Sequence, residues 1–138
     1  MRFFLDNCLS IKYARALQAL SEIDGHEVIH LSDRFSRDAP DAAWIRGLGE
    51  EGEWVIVSGD TRIHRTEELM RVWTRSGLTA FFLAPGWMRV RYWDQATMLV
   101  RWWPHILEQA RLVEWGSGFE VPHRSPTQGR FKVIGRRY

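Results

Sequence analysis

Apolar residues in this chain come in two alternating arrangements: short unbroken runs, and sets spaced three or four apart. The runs are Phe3-Phe4-Leu5, Val28-Ile29 within Glu27 to Leu31, Trp54-Val55-Ile56-Val57, and Leu78 to Leu83. Bounded by polar and turn residues, they predict buried strands. Ile11, Ala14, Leu17, Leu20 and Ile23 recur at helical spacing between Ser10, a good N-cap, and Asp24-Gly25, a stop. Trp44, Ile45 and Leu48 mark a short helix from Ala42 to about Gly49 capped by Asp41, and Leu69, Met70, Val72 and Trp73 one from Thr66 to Arg75 closed by Gly77. The order βαβαβαβ predicts an α/β fold: a parallel sheet of about four strands with helices on both faces and right-handed crossovers.

Beyond Pro85-Gly86 the pattern changes. Met98, Leu99, Trp102, Ile106, Leu107 and Ala110 give Gln95 to Leu112 one apolar face, a long helix bent near Pro104, with Trp102 and Trp103 serving packing. Phe119 to Val121 and Arg130 to Ile134 read as two further short strands, joined by a polar loop. The expected division is a domain over residues 1–112 and a basic C-terminal extension over 113–138.

Composition narrows the class. At 138 residues, 45% hydrophobic and 26% charged, the chain has one ordinary globular domain's worth of sequence. No apolar run approaches the roughly 20 residues of a membrane span, and the N-terminus lacks a signal-peptide layout, so a cytoplasmic protein is expected. Its one cysteine, Cys8, allows neither an internal disulfide nor a cysteine-based zinc knuckle. Charge is unevenly spread. Residues 1–86 hold 10 Lys+Arg against 13 Asp+Glu (net −3), while residues 87–138 hold 9 against 4 (net +5). A basic, Trp-containing second part suits a polyanionic partner.

Three sequence patterns match familiar chemistry and fail its context. His26-Glu27-Val28-Ile29-His30 fits H-E-x-x-H, whose zinc chemistry needs both histidines on one helical turn, about 6 Å apart. In the strand expected here they stand roughly 13 Å apart. Gly47-Leu48-Gly49-Glu50-Glu51-Gly52 fits G-x-G-x-x-G, but it follows a helix and opens a strand, the reverse of a dinucleotide loop. Cys8 and Arg15 are separated by one residue too many for a phosphatase cradle, which leaves Cys8 as a small, at least half-buried thiol.

The chemistry then rests on carboxylates. Asp6 and Asp60 each follow a predicted strand, and Asp41 opens a helix; in a parallel sheet strand C-termini and the following helix N-termini share one edge, where open α/β sheets hold ligands. Gathered carboxylates repel unless a cation joins them, and hard oxygen ligands suit Mg²⁺ or Mn²⁺, which can activate water and stabilise a phosphodiester in hydrolysis. A metal-dependent nuclease is the function this pattern predicts.

Phe-Leu-Asp-Asn near the N-terminus, Leu-Ser opening the first helix, Gly-His-Glu-Val-Ile-His-Leu, Pro-Asp-Ala-Ala-Trp-Ile, Val-Ser-Gly-Asp and Phe-Phe-Leu-Ala-Pro-Gly-Trp occur in that order over roughly residues 2–110. The set resembles PIN-like domains of the VapC-type toxin group. The resemblance implies a three-layer α/β/α fold, divalent-metal ribonuclease activity, and pairing with an antitoxin, with homodimers common among relatives. Asp6, Asp41 and Asp60 match its acidic positions. The chain departs from the pattern where many relatives have Asp-Glu in place of Asp6-Asn7 and a second acid soon after Asp60. Asp38 and Glu68 are the candidates for a fourth acid, and Asn7, Arg62 and His64 for supporting or substrate contacts. Arg124, Arg130, Lys132 and Arg136, interleaved with Phe131 and Tyr138, suit single-stranded RNA. The alternative is a catalytically inactive PIN-like module that binds RNA or a protein partner.

Overall fold

A computed structural model describes residues 1–134. One sheet carries six strands: β1 (Arg2–Leu5), β2 (Glu27–His30), β3 (Trp54–Ser58), β4 (Thr79–Leu83), β5 (Gly118–Val121) and β6 (Lys132–Ile134). Their order is β2-β1-β3-β4-β5-β6, with β6 alone antiparallel to its neighbour. The helices are α1 (Ile11–Ser21), α2 (Asp41–Glu51), α3 (Arg62–Arg65), α4 (Glu67–Ser76) and α5 (Tyr92–Leu112). Among the described residues no helix is long and apolar enough to cross a membrane.

Strand alternation explains the unbroken apolar runs, because both faces of the sheet are covered. Phe3, Leu5, Val55, Val57, Phe81, Leu83, Phe119 and Val121 face α1 and α5. Phe4, Trp54, Ile56, Ala80 and Phe82 face α2, α3 and α4, where Phe4 stacks on Trp44 at 5.1 Å between ring centroids. Ser10 caps α1 by accepting the Lys12 N–H at 3.1 Å. The buried side of α1 is Tyr13, Ala14, Leu17 and Ser21; Leu20, on the outer side of the helix, and Ile23, in the 3₁₀ turn at Glu22–Asp24, instead face solvent.

Three expectations need correction. The sheet has six strands rather than about four, because β5 pairs with β4 in parallel and β6 closes the edge. The segment expected as an extension therefore supplies core residues: Phe119 stacks on Phe81, and Phe131 packs on Phe81 and Trp102. Phe131 is thus a packing residue with only part of its ring left at the surface. Third, α5 covers the α1 face while α4 covers the other, although both connections step the same way across the sheet. The β4–α5–β5 connection thus has the opposite hand to β3–α4–β4, an uncommon arrangement. With α2, α3 and α4 on one face, α5 is the helix left to cover Val57, Phe81, Leu83 and Val121 on the other.

The close fit of β5 yields a test. A Cβ on Gly118 would lie 2.3 Å from the Trp73 ring, which is held in place by its Nε1–H bond to the Leu78 carbonyl at 2.8 Å. Gly118→Ala is expected to destabilise the fold by about 1–3 kcal/mol in urea unfolding; an unchanged midpoint would mean that β5 is not integral to the sheet.

Candidate metal centre

Strand order 2-1-3 places β1 beside both β2 and β3, so the β1–β2 and β2–β3 connections run in opposite directions across the sheet and open a crevice at the C-terminal ends of β1 and β3. Asp6 is the first residue beyond β1, and Asp60 the second beyond β3. Asp41 opens α2, whose N-terminus lies at the same edge. Pro40 takes the cap position, and Asp41 makes no capping bond; its Oδ1 instead accepts the Trp44 Nε1–H at 3.1 Å. The expected N-cap role is therefore corrected, and the carboxylate is left facing the crevice. One ligand oxygen from each of Asp6, Asp41 and Asp60 lies within 4.8 Å of the other two. The three line a hollow of about 460 Å³ that also includes Asn7, Cys8, Arg37, Asp38 and Arg62.

Asp6 is 4% exposed. Its Oδ2 accepts the Ser58 hydroxyl at 2.6 Å and its Oδ1 the Asn7 N–H at 2.5 Å. Burial pushes its pKa above the ordinary carboxylate value, these two bonds oppose the shift, and Asp41 and Asp60 add to it. Ser58 also accepts the Asp60 N–H at 3.0 Å, so one hydroxyl ties the two strand ends together. Arg62 forks onto Asp60, with Nη2 2.6 Å from Oδ2 and Nε 3.0 Å from Oδ1, and reaches Asp41 at 3.5 Å. Asp60 is consequently held below the ordinary value, chiefly by Arg62, while Asp41 is raised by burial and then by Asp60. The pair shares its charge unequally because the guanidinium grips one member.

The neighbouring loop is fixed by a residue of the H-E-x-x-H pattern. The His30 ring is buried; Nε2 donates to the Leu9 carbonyl at 2.7 Å, and Nδ1 accepts from the Ser32 backbone at 3.1 Å. Nε2 thus holds the turn after Asp6, and Nδ1 the turn after β2. His26 meets the N-terminal amine at 3.0 Å and stands at the opposite end of β2, so no zinc pair forms. Cys8 is exposed as a residue, but its sulfur accepts the Gly59 N–H at 3.1 Å beside Asp6. Desolvation, then Asp6, pushes its thiol up to about 12, which disfavours the thiolate. Arg15 pairs with Asp33 instead of approaching it.

Of the other expected residues, Asn7 lines the hollow and donates to the Arg37 carbonyl at 3.1 Å. Asp38 lines it too, bonded by the Ser36 hydroxyl, outside the three-acid group. Glu68 lies in a separate hollow between α2 and α4. His64 is not at the site. Its ring lies 4.6 Å from Phe82, its Nε2 is buried without a hydrogen-bond partner, and burial lowers its pKa. Arg124 and Arg130 are exposed beyond β5, Lys132 is exposed on β6, and Arg136 lies outside the described residues. Sequence reasoning missed Ser58, which spans Asp6 and Asp60, and the support that Trp44 gives Asp41.

The donor set suits a small hard cation: three carboxylates from three segments of the chain, two of them raised by burial and by mutual repulsion. A family model described as a PIN like domain matches residues 1–85. Comparison with curated proteins found no match, and comparison with solved structures found none either.

A buried acid with a raised pKa burdens the fold when it ionises. Its contribution is favourable below the ordinary value of 3.8 and is lost as pH rises through the raised value. Asp6→Asn is therefore expected to stabilise the protein by about 1 kcal/mol at pH 7, and by less at pH 4, in thermal or urea unfolding without added metal. A variant less stable than wild type at pH 7 would show that the carboxylate's hydrogen bonds outweigh its burial.

Proposed function

The chain belongs to the PIN-like domain family, and from that premise we propose that it is a Mg²⁺- or Mn²⁺-dependent endoribonuclease, the toxin of a type II toxin-antitoxin pair. PIN-like domains are commonly nucleases that use divalent metal. The observation that carries the reading is the convergence of Asp6, Asp41 and Asp60, with ligand oxygens within 4.8 Å, at the crevice between β1 and β3. A divalent ion held there supplies positive charge for the phosphodiester oxygens and lowers the pKa of water.

The chain's own groups do the rest. Ser58 and the Asn7 N–H orient the Asp6 carboxylate, and Trp44 orients that of Asp41. Arg62 is 73% exposed, so its bond to Asp60 is readily exchanged and its guanidinium is free to turn to a phosphate oxygen. Asn7 lines the hollow and ties its wall to the Arg37 carbonyl at 3.1 Å. The toxin assignment draws on the ordered set of VapC-type sequence features; it brings with it an antitoxin partner, a cytoplasmic setting and a homodimer as the working assembly.

One observation favours a second reading, an inactive module that binds RNA or protein. The metal-competent group among the described residues has three acids, and Arg62 already balances part of their charge.

Calorimetric titration with Mn²⁺ and Mg²⁺, beside cleavage of a mixed RNA pool, separates the two. Asp60→Asn is expected to lower metal affinity and cleavage by about 100-fold or more. Arg62→Gln should split these readouts, tightening Mn²⁺ binding a few-fold by removing a competing cation while slowing cleavage. Wild-type protein that binds neither ion and leaves RNA intact would transfer the case to the binding module.

A further inference from the structure

A second feature lies along the same edge of the sheet as the carboxylate hollow. Beyond β4 the chain forms a 3₁₀ turn, Pro85–Arg89, wedged between the two. On one side a Cβ on Gly59, next to Asp60, would lie 2.7 Å from Met88; on the other, a Cβ on Gly86 would lie 2.6 Å from His123. Past His123 the chain makes a compact turn, with the Gln128 and Gly129 N–H groups donating to the Ser125 carbonyl at 3.0 and 2.9 Å. The Trp102 indole pins it to α5 through a 2.7 Å bond to the Arg124 carbonyl.

Two adjoining hollows, of about 430 and 160 Å³, lie between α5 and this turn and share Trp102 and Pro126. Around Trp102 stand Arg101, His105, His123, Arg124 and Arg130, and among the described residues no acidic one lines either hollow. Among the described residues none of the three arginines is in an ion pair, whereas Arg15, Arg34, Arg62, Arg71 and Arg111 all are. Unpaired cations around an apolar floor of Trp102 and Phe131 match the chemistry of a nucleic acid strand, with phosphates at the rim and bases inward. The ends of β3 and β5 are two strand spacings apart, roughly 10 Å, a few nucleotides of extended chain.

We propose that the cleft between α5 and the 122–130 turn binds single-stranded RNA flanking the phosphodiester held at the carboxylates. The site rests on the ribonuclease reading for its link to the scissile bond, and on its own geometry for RNA binding. It places Arg124 and Arg130 on the substrate's path and leaves Lys132, on the far edge strand, outside it.

The test is fluorescence anisotropy with the full chain and a fluorescein-labelled oligouridylate of about 16 nucleotides, in EDTA so that nothing is cut. Exposed side chains are replaced, and circular dichroism confirms folding. Arg124→Ala combined with Arg130→Ala is expected to weaken binding about tenfold and to reduce the log–log salt slope by about 1.4, the value for two single-strand phosphate contacts. His105→Ala should weaken it about fivefold through lost stacking, while Arg75→Ala, on the opposite face, changes nothing. Cleft variants that bind like wild type, while wild type cuts RNA in Mn²⁺, would overturn the cleft and leave the nuclease standing, with a protein ligand as the cleft's other occupant. Binding lost in the cleft variants but no cleavage by wild type keeps the RNA site and discards the nuclease. No RNA binding by wild type, or competition by inorganic polyphosphate equal to that by RNA, overturns the proposal.

Discussion

The Ser58 hydroxyl, donating to Asp6 and accepting from the Asp60 backbone, is the contact on which the site's geometry depends. It joins the ends of the only two strands between which the sheet's connections reverse direction, and fixes two acids that sequence places 54 positions apart. Two neutral donors to a nearly buried carboxylate do not match what water would give it, so Asp6 remains shifted upward. The surrounding packing bears that cost. Phe3, Phe4 and Leu5 are fully buried on the two faces of β1, and His30 locks the turn that follows. A strand this well covered can hold a charged residue at its end where a looser one would let it swing to solvent.

Much of this was legible in the sequence because β1, β3 and β4 are buried on both faces and therefore appear as uninterrupted apolar runs. A strand ending in Asp then fixes the position of Asp6 and Asp60 without any knowledge of helix packing. What was not legible depends on short elements and on pairing. The four-residue helix α3 is too brief to show a period, yet it decides the fate of His64: two residues along a helix is about 200° around it, so Arg62 facing the acids turns His64 toward Phe82. Phe119 to Val121 read as a strand, but nothing in it names β4 as its partner; that choice rests on Gly118 admitting the Trp73 ring and on Phe119 stacking over Phe81. Asp41 was placed at the right end of the right helix for the wrong reason, since Pro40 occupies the cap and Trp44 holds the carboxylate.

The uneven charge of the chain becomes spatial through the unusual hand of one connection. Had α5 crossed on the α4 face, the chain between β4 and β5 would have returned beside α4, which already carries its own cations and acids. Crossing on the α1 face instead puts α5 against the turn after β5, and both connecting segments, 84–91 and 122–131, emerge at the edge where Asp6 and Asp60 end their strands. Negative charge then sits at one end of that edge and unpaired arginines at the other, separated by the Pro85–Arg89 turn, whose Met88 packs on Gly59 and whose Gly86 packs on His123. A polyanion would be repelled by the acids alone and held, but not positioned for chemistry, by the arginines alone. A cation at the acids reverses the first field without touching the second. On the proposed reading, strand retention and bond cleavage fall to different residues of one edge, and Arg62, exposed and bonded to Asp60, stands on the acidic side of the boundary.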